Sequence, residues 1–416
     1  MPLDDEIQTI RGSTPSLFRS SISSDDLSLI LKKILGPGLG ILLVAIAIGG
    51  WHQIGFHEGF NIGDWLINYQ GGFVRRGFIG EILYGVSRVT HVSPAVLLVA
   101  LQAIIFAIYF YFSCRILQTK YNLVKYAFLL FSPFLFAFAI TSQAGGYRKE
   151  ILYFAVLAFV TYAQYAYTPK RFQRAFYWVL FLYPMVLLTD ELGLVILPLL
   201  IGIFWNRMRP LSLGTLFYLT FFIAENAAVF LAVLFRHRIP SRQVDAIVSS
   251  LIRAGYDPKG SGGAIGALSQ TTWANTRDTL SSIVNAHYFL IYPLALLLCS
   301  VAYFPLLKEI KNIFRKPGLV LGLAGSAAVL LPVFIIANDW GRWIYIFLVE
   351  LFMAILVVDN ETTDNPVAPG KEYPAKKVFA GSVLLIFYAI FWHVPHVLEK
   401  GSDWRAVFHN VPFNGF

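Results

Sequence analysis

Residues 37–57 read PGLGILLVAIAIGGWHQIGFH, twenty-one residues without a Lys, Arg, Asp or Glu. A run of that length crosses a ~30 Å hydrocarbon core as a helix, because lipid cannot satisfy an open backbone. Ten more apolar stretches follow, at 92–113, 126–141, 150–167, 175–189, 192–206, 211–235, 288–307, 318–337, 343–358 and 378–396. The chain has 416 residues, of which 57% are hydrophobic and only 14% charged, which excludes a soluble domain. The pattern predicts an all-α fold: a polytopic transmembrane helix bundle of about 11 helices, with helices lying on its outer face. Three regions are expected: a cytoplasmic tail over 1–34, a transmembrane domain over 35–396 with outer loops 58–91 and 236–287, and an extracytoplasmic tail over 397–416.

Charge sets the orientation. With the N-terminus cytoplasmic, 19 of the 33 Lys and Arg fall on inner segments, in plain basic loops such as Lys170/Arg171/Arg174 and Lys308/Lys311/Arg315/Lys316. That is the positive-inside pattern, and it places the C-terminus outside. The net charge of +9 therefore reflects topology and attraction to anionic lipid, with no nucleic-acid partner implied. Cys114 and Cys299 lie inside apolar stretches and say nothing about redox compartment.

The outer segments carry compact polar clusters. The first runs from Asp64-Trp65 through Tyr69 to Arg75-Arg76-Gly77. The second is Tyr147-Arg148-Lys149-Glu150, the third Thr189-Asp190-Glu191, and the fifth Asn338-Asp339-Trp340-Gly341-Arg342-Trp343. The fourth is the loop 236–287, whose run Tyr256–Gly263 reads as a mobile lid. Stripes at Val244/Ile247/Val248/Leu251 and Val74/Phe78/Ile82/Val86 suit either helices on the bilayer surface or packing against the bundle. Charges at the ends of apolar helices are costly unless paired or wet, so the clusters are expected to share one outer cavity.

Arg75, Arg76, Arg148, Lys149 and Arg342 suit phosphate. Asp64, Asp190 and Glu191 are candidate bases, and Asp339 and Glu150 candidate substrate-orienting groups. These acids would also suit a divalent cation; the sequence requires no cofactor. Trp65 and Trp340 could pack on a sugar, although an interfacial aromatic belt also accounts for Trp here, and Tyr69 is a further substrate-orienting candidate. His393 and His396, three apart in an expected helix, lack further ligands at a diagnostic spacing. Glu225 and Glu350 fall in the middle of apolar stretches, where acids often serve ion or proton transfer.

This layout resembles the GT-C superfamily of integral-membrane glycosyltransferases. Asp64 follows the first helix, as an acid does in their first outer loop, and the loop 236–287 is similar to their long outer loops. The strings NYQGGFVRRG, GYRKE and DWGRW look like those of bacterial membrane proteins of surface-polysaccharide assembly, among them Wzy-type polymerases. A counterpart of the large soluble C-terminal domain of some GT-C enzymes is not expected here. The resemblance implies a transferase in the bacterial inner membrane, using a polyprenyl-(pyro)phosphate-linked glycan on the outer face, with the lipid bilayer and other assembly proteins as partners. The rival expectation is a transporter or flippase of lipid-linked glycan, favoured by Glu225 and Glu350.

Overall fold

The computed structural model describes residues 21–56, 60–235, 238–258, 263–359 and 371–408. Most of the expected N-terminal tail, residues 259–262 of the glycine-rich run, 360–370 of the last inner connector and the final 409–416 lie outside the described residues.

The described chain is almost wholly helical. Strand β1 (Ser21–Ser23) leads into α1 (Ser24–Phe56), which carries no Asp, Glu, Lys or Arg between Lys33 and its end. The first outer loop holds α2 (Asn61–Trp65) and α3 (Phe78–Thr90), and α4 (Pro94–Thr119) returns. Three four-residue helices follow: α5 (Ala127–Leu130), α6 (Phe138–Thr141) and α7 (Gln143–Gly146). Then come α8 (Glu150–Ala166), α9 (Pro169–Thr189), α10 (Leu197–Met208) and α11 (Leu213–Phe235). The second outer loop holds α12 (Ser241–Arg253), α13 (Gly263–Ala267) and α14 (Thr272–Asn285). The last third contains α15 (Tyr288–Tyr303), α16 (Leu307–Ile313), α17 (Pro317–Ile336), α18 (Trp340–Asp359), strand β2 (Glu372–Pro374) and α19 (Ala375–Ile390).

Among the described residues, eight helical segments are long and apolar enough to cross a membrane, against eleven expected stretches. Of the other three, α8 has 17 residues and α19 has 16. The stretch 126–141 is not one helix. Its backbone turns at 131–137, where Pro133 lacks the N–H a continuous helix needs.

Helix α18 sets the two poles of the molecule. It is the central helix, with 89% of its span buried against 17% for α11. Twenty residues at 1.5 Å each make it ~30 Å long. Near its start Arg342 grips Glu150, the first residue of α8. At its end Asp359 accepts hydrogen bonds from Lys125 Nζ (2.6 Å) and Tyr126 Oη (2.8 Å), with Lys120 Nζ 3.6 Å away. Residues 126–149 therefore run from one pole to the other despite their broken helix. Antiparallel pairing of β1 with β2 ties the start of α1 to the start of α19.

Close helix approach depends on small residues, as lipid offers little hydrophobic drive for association. α10 crosses α17 where Gly202 faces Gly318. A Cβ on Gly202 would strike the Gly318 carbonyl oxygen, and one on Gly322 would sit 2.9 Å from Leu199 Cα.

The two amphipathic stripes differ in outcome. Val244, Ile247, Val248 and Leu251 are all buried, so α12 packs its apolar face on the protein. There Asn68 Nδ2 donates to Ser250 Oγ at 3.0 Å, joining the two outer loops. On α3, Ile82 and Val86 stay exposed, as an interfacial helix would leave them.

Candidate functional site

The polar clusters meet at the pole marked by Arg342. Asp64 lies in α2, which packs beside α13. Eleven and twelve residues on, Arg75 and Arg76 return toward it. Arg76 adopts φ +65°, a left-handed conformation that is unusual for a bulky side chain. The surroundings hold it there: Lys149 Nζ donates to the Arg76 carbonyl at 3.1 Å, while its guanidinium reaches three carboxylates. Gly80 permits the return of the chain, since a Cβ there would strike the Ile67 carbonyl.

Two ion-pair groups form. In the first, Arg76 Nε lies 3.0 Å from both Glu191 oxygens, its Nη1 3.5 Å from Asp64, and its Nε 3.8 Å from Asp190. Arg75 Nη1 joins Glu191 at 2.9 Å, and Lys149 Nζ sits 3.7 Å from Asp64. In the second, Arg342 Nε donates to Glu150 at 2.7 Å and its Nη1 to Asp339 at 2.6 Å, with His396 Nε2 3.3 Å from the other Asp339 oxygen. Arg148 stands between the groups. Its guanidinium donates to the Ala144 carbonyl (3.3 Å) and the Phe60 carbonyl (3.1 Å), and no carboxylate lies within ion-pair distance among the described residues.

A cavity of about 500 Å³ opens between the groups. Arg75, Arg76, Arg148 and Arg342 line it together with Asp339. Its other wall is the second outer loop and the end of α17, including Gln270, Asn275, Asp278 and Asn338. The second long loop thus forms a wall of the cavity through α13 and α14; of the run Tyr256–Gly263 expected as a lid, residues 259–262 lie outside the described residues and, among the described ones, only Gly263 lines the cavity.

Electrostatics sort the carboxylates outside the membrane spans. Burial opposes ionisation of Asp64, but Lys149, then Arg76, Arg148 and Arg342, outweigh it and hold this carboxyl below its usual range. Asp190 goes the other way. Burial, with Glu191, Glu150 and Asp64 nearby, outweighs Arg76 and pushes it up to about 7. Burial opposes Asp339 too, yet Arg342 and His396 hold it far below the usual carboxylate range. Burial pulls His396 down despite Asp339.

The positively charged candidates reach the cavity except Lys149, which is fully buried behind Arg76. The acids Asp64, Asp190, Glu191 and Glu150 sit behind the arginines as anchors; only Asp339 among the expected acids is on the wall. The aromatic candidates are placed in packing roles. Trp65 is fully buried and donates to the Tyr147 carbonyl at 2.9 Å. Trp340 donates to the Phe334 carbonyl and packs on Tyr288 and Tyr292. Tyr69 stacks on Phe73. His393 and His396 lie beyond α19, not within a helix, and only His396 joins the site. Among the described residues no group of three or more His, Cys, Asp and Glu could hold a metal ion.

Sequence reasoning did not single out Gln270, Asn275 or Asp278, the last two in α14. It also missed the Asp339–His396 contact, which no spacing encodes. Comparison with protein-family models, curated proteins and solved structures finds no match, so the chemistry of this cavity carries the functional reading.

Proposed function

We propose that this chain is a membrane transferase of bacterial glycan assembly that draws on a polyprenyl-(pyro)phosphate-linked sugar at the pole where the arginines meet. One observation carries the reading: four arginines from three distant segments line one cavity of about 500 Å³, and Arg148 among them has no carboxylate partner within the described residues. Guanidinium groups in such a setting recognise a phosphate bidentately. The positive-inside pattern makes this pole extracytoplasmic.

In the proposed step an acceptor hydroxyl oxygen attacks the anomeric carbon, and the bond from that carbon to the phosphate oxygen breaks. The phosphate leaves with the electron pair, stabilised by Arg148, Arg75 and Arg76. A carboxylate takes the hydroxyl proton. A general base works best with a pKa near the operating pH. Asp190, at about 7, meets that condition better than Asp64, which its cationic neighbours hold low. Both acids become accessible when Arg76 turns from them to an incoming phosphate. Asp64 then keeps Lys149 in place, and Asp339 with Arg342 orients the substrate.

A transporter or flippase of lipid-linked glycan is the second reading. Glu350 favours it: the residue is fully buried within α18 beside Ser326 of α17 and makes no ion pair among the described residues. Glu225 is less telling. It is partly buried, and its neighbour Asn226 donates to the Leu180 and Phe222 carbonyls. The deciding assay uses purified protein, a polyprenyl-linked sugar donor and an acceptor, with product followed directly. A transferase predicts that Asp190→Asn and Asp64→Asn abolish turnover while Glu350→Gln stays active. Normal turnover in both Asp variants with a dead Glu350→Gln would replace this reading with the transporter.

A further inference from the structure

Helix α11 is the least buried of the eight membrane-crossing segments, and it leaves grooves on both sides at the pole opposite the arginine cavity. The larger, about 660 Å³, lies between α10 and α11. Its body is apolar, formed by Ile201, Leu216, Leu219 and Ile223. Its head is Arg209, whose guanidinium sits 4.4 Å from the centre of the Trp205 ring. No carboxylate lies within ion-pair distance of Arg209 among the described residues. The second groove, between α9 and α11, repeats the design with Arg174 beside Tyr177 and Trp178.

The surrounding charge is one-sided. Five cations, Lys170, Arg171, Arg174, Arg207 and Arg209, stand in segments that contain no Asp or Glu from 167 to 189 or from 192 to 224. The helix ends also meet here, with Gln173 Nε2 donating to Thr215 Oγ1 at 3.0 Å. From Ile201 to Arg209 the groove follows eight residues of α10, a rise of ~12 Å. That is close to the ~15 Å depth of one leaflet, half of a ~30 Å core.

A single fixed cation over an apolar channel one leaflet deep is complementary to an amphiphile with an anionic head. We propose that the α10–α11 groove is a binding site for an anionic glycerophospholipid of the adjoining leaflet. The phosphate rests on Arg209 and one acyl chain lies between α10 and α11. The stacking ring of Trp205 orients the guanidinium and shields one face of it, leaving its N–H edge for the head group.

Native mass spectrometry of the full-length protein, delipidated and then titrated with phosphatidylglycerol or phosphatidylcholine of matched chains, tests this. The wild type should retain phosphatidylglycerol preferentially, and Arg209→Ala should cut that preference about fivefold, the scale of one cation near an anionic surface. Arg209→Lys should keep part of it. Thr220→Trp, which fills the groove from its exposed side and leaves Arg209 intact, should lower retention of both lipids. Equal retention of the two lipids by the wild type, or an unchanged preference in Arg209→Ala, would overturn the proposal. So would stronger retention of a polyprenyl phosphate offered in competition, since that assigns the groove to another lipid. Thermal unfolding of each variant without added lipid separates a folding defect from a binding one.

Discussion

Replacing Arg342 by Ala strands Glu150, which is 3% exposed, and leaves Asp339 on the cavity wall with His396 as its remaining neighbour. A buried charge left without its partner costs about 3–5 kcal/mol. Arg342→Ala should therefore lower the midpoint of thermal unfolding sharply in detergent. Arg148 leaves no such debt, because it is held by two backbone carbonyls and pairs with no described carboxylate. Arg148→Ala should unfold near the wild-type temperature but weaken donor binding by about 1.5–3 kcal/mol, the scale of a charge-assisted hydrogen bond. Equal destabilisation of the two variants would show that Arg148 is structural. Asp190 adds a pH signature. Its carboxyl stands at about 7 in the fold against 3.8 in a free chain, so the folded state holds the proton more tightly. The stabilising contribution is full below about 4 and is lost as pH rises through about 7. Asp190→Asn removes that dependence, so its unfolding temperature should climb relative to wild type between pH 4 and pH 7. A constant difference across that range would contradict the burial assigned to Asp190.

Among the elements, α10 and α17 make the most specific contact. Gly202→Ala places a methyl group against the Gly318 carbonyl, and overpacking of this kind costs about 1–3 kcal/mol. The unfolding temperature should fall while the arginine cavity, which α17 lines only at its far end from Gly318, keeps its ligand affinity. A neutral substitution would mean that the helices separate at no cost. Hydropathy made nearly every long helix readable, because length and lack of charge are local properties. The stretch 126–141 escaped for the same reason: its composition is apolar, but turns stabilised by neighbouring helices override a continuous helix. The site was legible in part. Arg75, Arg76, Arg148 and Arg342 stand out as cations on the less basic face. Their sorting into wall and anchor is not local. Glu150 meets Arg342 across 192 residues, and only the fold shows that Trp65 points inward to the Tyr147 carbonyl.

For the molecule as a whole, the two poles make a topology test direct. Lys120, Lys125, Glu309 and Asp359 gather at one end, with β1 and β2 joining α1 and α19 beside the last inner connector. Reporter fusions at Lys120, Arg171, Lys311 and Lys371 should read cytoplasmic, and fusions after Lys259 and at the C-terminus should read outside. A cytoplasmic signal after Lys259 would turn the arginine cavity to the inner face and remove the proposed function. The bend at 131–137 also constrains the order in which the protein can be built. Irregular backbone is tolerated at membrane depth only where protein, not lipid, surrounds it. Phe134 packs on Tyr303 and Trp392, Phe136 on Phe352, and Phe138 on Tyr345. Each of those shielding rings is synthesised more than 150 residues after the bend. While the ribosome works through the middle of the chain, residues 127–146 have no finished berth in the bilayer. At that stage only Tyr109 and Phe110 of α4 are there to meet Phe136; the segment is enclosed on its other sides once α15 and α18 have been made.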